Sequence, residues 1–169
     1  CAQCHESSET FAAAKVVHPP AADGDCASCH EPHGGLEPKL ATREGPGLCV
    51  ECHASQAKEP ALPVAPLPMA AGDCAACHAP HGGDREHLVR GTGADLCAQC
   101  HADLKRQPAG ARLHPPFEEG DCATCHLSHA GRRPALLRDD AGKLCAQCHD
   151  VAPQLAGARS VHAPVRAGD

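Results

Sequence analysis

Large apolar side chains are scarce in this sequence. The 169 residues include no Trp, no Tyr and no Ile, and the only two Phe are Phe11 and Phe117. Side chains of this kind supply much of the buried area in an ordinary globular core. Something other than side-chain packing must therefore fill the interior of this protein.

Three further features are missing, and each excludes a class of protein or structure. The formal net charge is −6 and the positive charges are scattered, so no basic surface indicates a nucleic-acid partner. No apolar run approaches the ~20 residues of a transmembrane helix. No segment alternates polar and apolar residues as strands do. We therefore predict a mostly irregular fold with short α-helices.

Cysteine and histidine are abundant instead, with 14 residues of each. Every cysteine belongs to a Cys-x-x-Cys pair, and histidine follows every pair directly. The seven motifs run from Cys1 to His5, Cys26 to His30, Cys49 to His53, Cys74 to His78, Cys97 to His101, Cys122 to His126 and Cys145 to His149. Their second cysteines are Cys4, Cys29, Cys52, Cys77, Cys100, Cys125 and Cys148.

The motifs alternate at intervals of 25 and 23 residues, so the sequence repeats every 48 residues with two motifs in each unit. Repetition of this kind predicts a single linear array in which each unit contacts its neighbours. Since Gly-Asp precedes Cys elsewhere in the repeat and the chain ends in Gly-Asp, we expect a window of a longer chain. The units are residues 1–48, 49–96, 97–144 and a partial unit, 145–169.

The two motifs of a unit have different surroundings. The first-type motifs begin at Cys1, Cys49, Cys97 and Cys145, and the second-type motifs, which always follow Gly-Asp, begin at Cys26, Cys74 and Cys122. We predict one short helix over residues 97–106, beginning with a first-type motif. Residues 59–68 contain four Pro and are predicted to form a polyproline-like linker.

Cys-x-x-Cys-His is the attachment signature of haem c. Residues i, i+3 and i+4 of a helical turn share one face, so both cysteines can bond the porphyrin while the histidine lies beneath the iron. Seven motifs that use every cysteine predict seven covalently bound haems, two in each complete unit of a haem-cored linear array. Aromatic and aliphatic packing is then replaced by the haems themselves.

Three other uses of paired cysteines fit the sequence less well. Zinc sites of four cysteines would leave one of seven pairs over, and they need no histidine after each pair. A disulfide scaffold explains the even number of cysteines but not the seven histidines. A thioredoxin-like redox pair needs a βαβ context, which is absent from the sequence.

Seven histidines lie outside the motifs and are candidates for the second axial position of each iron. Three of them follow a second-type motif by three residues, three stand 17 residues after the first cysteine of a first-type motif, and one is out of register. They are His33, His81 and His129, then His18, His114 and His162, and finally His87.

The short link between the motif histidine and the one three residues on prevents both from binding the same iron. We therefore expect His33, His81 and His129 to serve first-type haems and His18 and His114 to serve second-type haems, with the mirror-image arrangement as the alternative. His162 would serve a haem beyond residue 169.

The haem at Cys74 is the exception in this scheme. Pro66 stands where the 48-residue repeat would place its histidine. Two candidates remain for that iron, His87 and Met69, the only methionine. An iron left open is the third alternative. A Met ligand would raise the haem's potential above those of its neighbours.

The pattern Cys-x-x-Cys-His-x-x-His-Gly followed by Leu-Cys-x-x-Cys-His resembles the doubled-CXXCH family of multihaem c-type cytochromes. Residues 26–35 with 48–53 carry it, as do 74–83 with 96–101, and 122–129 with 144–149. The pattern is also similar to periplasmic decahaem conduit cytochromes and extracellular cytochrome filaments. The resemblance implies haems with two histidine ligands, low potentials and electron transfer to an acceptor outside the cell.

We interpret the chain as an electron carrier rather than an enzyme, in the periplasm or outside the cell. Expected partners are other redox proteins, further haem units of the same chain or of neighbouring subunits, and an outer-membrane porin or filament. The alternatives are a multihaem reductase with an open haem at Cys74–His78 and a subunit of an extracellular cytochrome filament. Carbon monoxide binding by the reduced protein would test the first alternative, and electron micrographs of native material would test the second.

Overall fold

The computed structural model describes residues 1–5, 11, 13–108, 110–150 and 155–161. Regular structure within them is short, as predicted. The α-helices are α1 (Pro19–Ala22), α2 (Gly45–Val50), α3 (Leu67–Ala70), α4 (Gly93–Cys97), α5 (Pro115–Glu118) and α6 (Ala141–Ala146). The 3-10 helices are Cys26–Ser28, Pro38–Leu40, Gln56–Ala61, Cys74–Ala76, Glu86–Leu88, Ala102–Lys105, Cys122–Thr124 and Pro134–Leu136. The strands are β1 (Val16–Val17) and β2 (Gly82–Gly83).

Two local predictions are wrong. The single helix expected over residues 97–106 is two elements, because α4 ends at Cys97 and a 3-10 helix begins only at Ala102. The linker expected over 59–68 is helical at both ends, since it overlaps the 3-10 helix Gln56–Ala61 and α3. Proline fits the first turn of a helix, where its missing N–H has no intrahelical acceptor.

The 48-residue repeat is visible in the turn that leads into each second-type motif. A four-residue helix, α1, α3 or α5, is followed by glycine with a φ of 71°, 72° or 76°. The next backbone N–H, from Asp25, Asp73 or Asp121, donates to the carbonyl of the proline five residues earlier at 2.8 Å each time. Glycine adopts this positive φ without the strain that a Cβ would add.

Successive units are joined by a short antiparallel contact. Val16 pairs with Gly83 across strands β1 and β2. One unit further on, Val64 and Gly131 form the corresponding bridge, with N···O distances of 3.1 and 2.8 Å. Both contacts link the segment before a four-residue helix to the glycine after the next unit's second-type motif. This inter-unit clasp determines which motifs become neighbours.

Side-chain packing contributes little to the interior of the described chain. Ala130, 8% exposed, is its one buried hydrophobic residue, whereas Leu36 and Leu67 are 102% and 81% exposed. Short chains that lack a sufficient core usually depend on metals or cross-links. No helix in the described part of the chain has the length and apolar character needed to cross a membrane.

Candidate haem-attachment sites

Each of the seven Cys-x-x-Cys-His motifs forms one closed turn. The backbone N–H of every motif histidine donates to the carbonyl of the first cysteine, at 2.9–3.0 Å. This is the i to i+4 bond of an α-helix, so the cysteines and the histidine lie on one side of the turn. No disulfide joins any of the fourteen cysteines in the structure. The predicted local geometry is therefore present in all seven motifs.

Thiols of consecutive motifs lie close together in the first two units. Partial burial, together with the hydrogen-bonded thiol of Cys74, raises the pKa of the Cys49 thiol to about 11. The negative charge of Cys29 acts in the same direction. Cys49 therefore lies between the thiols of the preceding and the following motif.

The same contact recurs one unit along the chain. Partial burial raises the pKa of the Cys97 thiol, and the hydrogen-bonded Cys122 and the nearby Cys77 add to this effect. Burial also raises the pKa of Cys77, with a further contribution from Cys100. The motifs from Cys26 to Cys125 thus form one unbroken series of neighbours.

Four motif histidines have a second imidazole close to their own. The ring centroids of these pairs are 5.8–6.1 Å apart, and the interplanar angles range from 20° to 57°. The pairs are His53 with His18, His30 with His81, His78 with His129, and His149 with His114. In each pair one ring belongs to a motif and the other was predicted to be a distal ligand.

The arrangement of the rings expected from the sequence is wrong. His18 and His114 lie beside first-type motif histidines, and His81 and His129 lie beside second-type ones. The mirror-image alternative is the one present. The short link between a motif histidine and the histidine three residues on predicts that the two bind different irons, but it does not predict which iron the second one binds. The inter-unit clasp decides this, because His18 N–H donates to His81 carbonyl at 2.9 Å directly beside strands β1 and β2.

The motif whose expected distal histidine is replaced by Pro66 is therefore a different motif from the one predicted. The imidazole beside His78 is that of His129, and not that of His87, which together with Met69 was expected as a candidate for the Cys74 iron. His18 precedes His53 by the same 35 residues that separate His114 from His149. The residue 35 positions before His101 is Pro66. Within the described chain no ring lies against His101.

The remaining predicted histidines have different surroundings. His33 is 94% exposed and its Nδ1 lies 3.4 Å from Glu31, and the His87 side chain is exposed. His129 is also held by Glu59 at 3.0 Å. His162 lies outside the described residues.

Sequence reasoning missed a device that orients the second-type motif histidines. The Nδ1 atoms of His30, His78 and His126 each lie 2.7–3.0 Å from a backbone carbonyl nine residues further on. A carbonyl accepts only, so Nδ1 carries the proton and Nε2 keeps a free lone pair. Such a hydrogen bond fixes the tautomer and orientation of a metal-binding histidine. The three carbonyls belong to Lys39, His87 and Ala135.

An uncommon backbone conformation orients these carbonyls towards the histidines. Lys39, His87 and Ala135 have φ values of 58°, 55° and 52°, and the leucine after each is also left-handed. Two consecutive non-glycine residues in this region are strained, and strain of this kind persists only where surrounding contacts impose it. The leucine that recurs at the same distance after each second-type motif was the signal in the sequence. His87 thus orients His78 through its backbone carbonyl, and its own imidazole takes no part in this contact.

Two arginines connect these left-handed segments to the motif turns. Arg90 Nε donates to the carbonyl of Ala75 at 2.8 Å, and Arg138 donates in the same way to Ala123. Both acceptors lie inside a Cys-x-x-Cys pair. The arginines therefore hold the motif turn against the loop that supplies the carbonyl to its histidine.

The facing imidazoles of His114 and His149 fit an iron between two nitrogen ligands. Metal–histidine bonds are about 2 Å long, so such an iron needs two Nε2 atoms roughly 4 Å apart. His114 and His149 have theirs 3.5 Å apart. Burial, His30 and His18 together lower the pKa of His81, which favours the neutral form that binds metal. No group of three or more His, Cys, Asp or Glu in the described chain forms a candidate site for a bare metal ion.

The chain belongs to the doubled CXXCH motif family. The family's pattern matches three segments, residues 18–58, 67–106 and 114–154, which together cover most of the sequence. These doubled motifs make the protein a multihaem c-type cytochrome with covalently attached haem, in a family whose members transfer electrons. Each match begins at or beside His18, Pro66 or His114, whereas our unit boundaries, which begin at first-type motifs, stay a prediction. No curated protein matches the chain.

Proposed function

We propose that the chain carries seven haems, one on each motif, and passes electrons along them. The observation that carries this proposal is the packing of α2 against the 3-10 helix Cys74–Ala76 and of α4 against Cys122–Thr124. At these contacts the attachment cysteines of consecutive motifs meet, and the thiols of Cys49 and Cys74, like those of Cys97 and Cys122, are hydrogen-bonded. Neighbouring attachment cysteines bring neighbouring porphyrins together. The bound haem irons supply the one-electron couples, and the polypeptide holds them in a fixed order.

Four of the haems have two imidazole ligands in this proposal. The distal ligand of the first-type haems at Cys49 and Cys145 comes from His18 and His114. The distal ligand of the second-type haems at Cys26 and Cys74 comes from His81 and His129. The clasp at Val16–Val17 holds the backbone of His18 and His81 together, and backbone carbonyls orient the rings of His30 and His78, so little reorganisation accompanies a change of oxidation state at these haems.

The compartment and the partners follow from the chemistry. Haem c is attached outside the cytoplasmic membrane, which supports a periplasmic or extracellular protein. The net charge of −6 favours redox partners with basic docking surfaces, since complementary charge accelerates encounter. An outer-membrane porin, or further haem units in a filament, would extend the same series of haems.

Protein-film voltammetry of the holoprotein tests this function. We expect the charge under the reduction wave to match every haem counted in the same sample, because each iron exchanges electrons with its neighbours. A fully loaded chain in which only the haems nearest the electrode respond would contradict transfer along the array.

The partner proposal has its own test. Electron exchange with a small basic redox protein should slow as ionic strength rises, since salt screens the attraction. The matched control is an acidic redox protein of similar potential, for which the rate should rise. Equal salt dependence for both would contradict docking by charge.

A further inference from the structure

Pro66 occupies the place that a distal histidine takes in the neighbouring units. Its φ and ψ are −60° and 148°, compared with −64° and 130° at His18 and −69° and 130° at His114. All three residues directly precede a four-residue helix, and the carbonyl of each accepts an N–H four residues on at 2.9–3.0 Å. The backbone is therefore the same in all three units, while the imidazole is missing from one.

The motif that pairs with this position is complete in every other respect. His101 N–H donates to Cys97 carbonyl at 3.0 Å, as in the other motifs. In the described chain His53 and His149, its counterparts in the repeat, face imidazoles, and His101 faces none. A proline ring in a peptide has no basic nitrogen, so Pro66 cannot bind the iron that His101 would hold.

Met69 is placed to supply the missing ligand. It is the only methionine of the sequence, and it lies in α3 three residues after Pro66. Pro66 is the cap residue before this helix and Met69 is the third residue within it. A side chain at the third position can reach back to the cap residue, and helical side chains lean towards the N-terminus, so Met69 is directed back to the Pro66 position. Met69 is half-buried, whereas Leu67 in the same helix is 81% exposed.

The repeat supports this choice. The residues that correspond to Met69 are Ala21 and Phe117, and neither side chain can bind iron. A thioether thus appears only in the unit that has lost its histidine.

We propose that the Met69 sulfur is the distal ligand of the haem attached at Cys97 and Cys100. This inference rests on the proposed function, since it needs a haem on that motif. A His–Met pair raises the potential of a haem iron above that of two histidines. This haem would therefore be reduced before its neighbours and hold an electron within the array.

Absorption spectra of the ferric holoprotein test the proposal. We expect the weak far-red band that a thioether bound to ferric haem produces, with an intensity of one haem per chain. Met69→Leu should remove the band and, after reduction, create one haem that binds carbon monoxide. Pro66→Ala is the matched control and should keep the band, because the alanine changes the same turn without removing the sulfur.

A second variant covers the case in which Met69→Leu does not fold. Met69→His should load the same number of haems, lack the far-red band and bind no carbon monoxide at this haem. The proposal is overturned if the wild-type spectrum has no band while the haem count is complete, or if the band survives Met69→Leu. A chain without covalent haem would instead overturn the proposed function, and the haem count separates the two failures.

Discussion

The Nε2 atoms of His114 and His149 lie 3.5 Å apart, although 35 residues separate the two histidines. A ring nitrogen of this kind can bind a metal ion, and both atoms point at the same small space. Direct hydrogen bonding between two such nitrogens is worth only about 1 kcal/mol. The arrangement fits the iron of the proposed function, which would lie between one ring from the Cys145 motif and one from the turn before α5.

Removing the distal ring of this pair should change the spin state of one haem. In His114→Leu we expect one ferric haem to become high-spin, because its sixth ligand is lost, while the remaining haems keep their spectra. Electron paramagnetic resonance of the ferric holoprotein measures this directly. Carbon monoxide binding by one additional reduced haem should accompany the change.

His87→Asn is the matched control for that experiment. Asparagine tolerates the left-handed conformation of residue 87, so the carbonyl behind His78 stays in place while the imidazole disappears. We expect no new high-spin haem in this variant. A high-spin signal in His87→Asn equal to that of His114→Leu would show that His87 is a ligand after all.

The motifs could be predicted from the sequence, whereas the pairing of histidines between motifs could not. Spacing alone identified every Cys-x-x-Cys-His turn and the 48-residue register, because both depend on local geometry. The pairing of His18 with His53 could not be predicted, since it depends on a two-residue contact between Val16 and Gly83 that has no sequence signal of its own. The 35-residue spacing seen in that pair and in His114 with His149 places Pro66 with His101 rather than with His78.

Packing between neighbouring motifs should depend on glycine at one position of the repeat. A Cβ on Gly120 would lie 2.6 Å from the Cβ of Ala94 in α4, and the φ of Gly120 is +76°. Gly120→Ala should therefore destabilise the holoprotein by more than the ~1–2 kcal/mol that a left-handed alanine costs. Thermal unfolding followed at the haem absorption measures the difference.

Gly110→Ala isolates the backbone contribution to that loss. Gly110 has a similar φ of +78°, but a Cβ added there would have no atom within 4 Å, so only the conformational cost should appear. Equal melting temperatures for Gly110→Ala and Gly120→Ala would contradict close packing of the Gly120 turn against α4.

The backbone at Ala135, whose carbonyl accepts from His126, is strained, and glycine at this position should relieve the strain. Ala135 has a φ of 52°, and glycine adopts such values freely. We expect Ala135→Gly to stabilise the holoprotein by up to about 1 kcal/mol in thermal or denaturant unfolding. Ala102→Gly, in an ordinary helical turn, should destabilise it by about 0.5–1 kcal/mol. A loss of stability in both variants would show that Ala135 is not strained.

The chain without haem should have no cooperative fold. Only Ala130 is a buried hydrophobic residue in the part of the chain described, and such a small apolar core cannot offset the conformational entropy of folding. Circular dichroism of protein produced without haem attachment should change gradually with temperature. A sharp thermal transition would contradict a fold organised around the haems.

The most direct test of the central claim is the intact mass of the denatured protein, measured together with a pyridine haemochrome spectrum. We predict a mass increased by seven haems, one for each Cys-x-x-Cys-His motif, and a spectrum of the c type. A mass equal to the bare polypeptide, or to the polypeptide less the hydrogens of disulfides, would contradict the account and leave a metal or disulfide scaffold as the explanation of the paired cysteines.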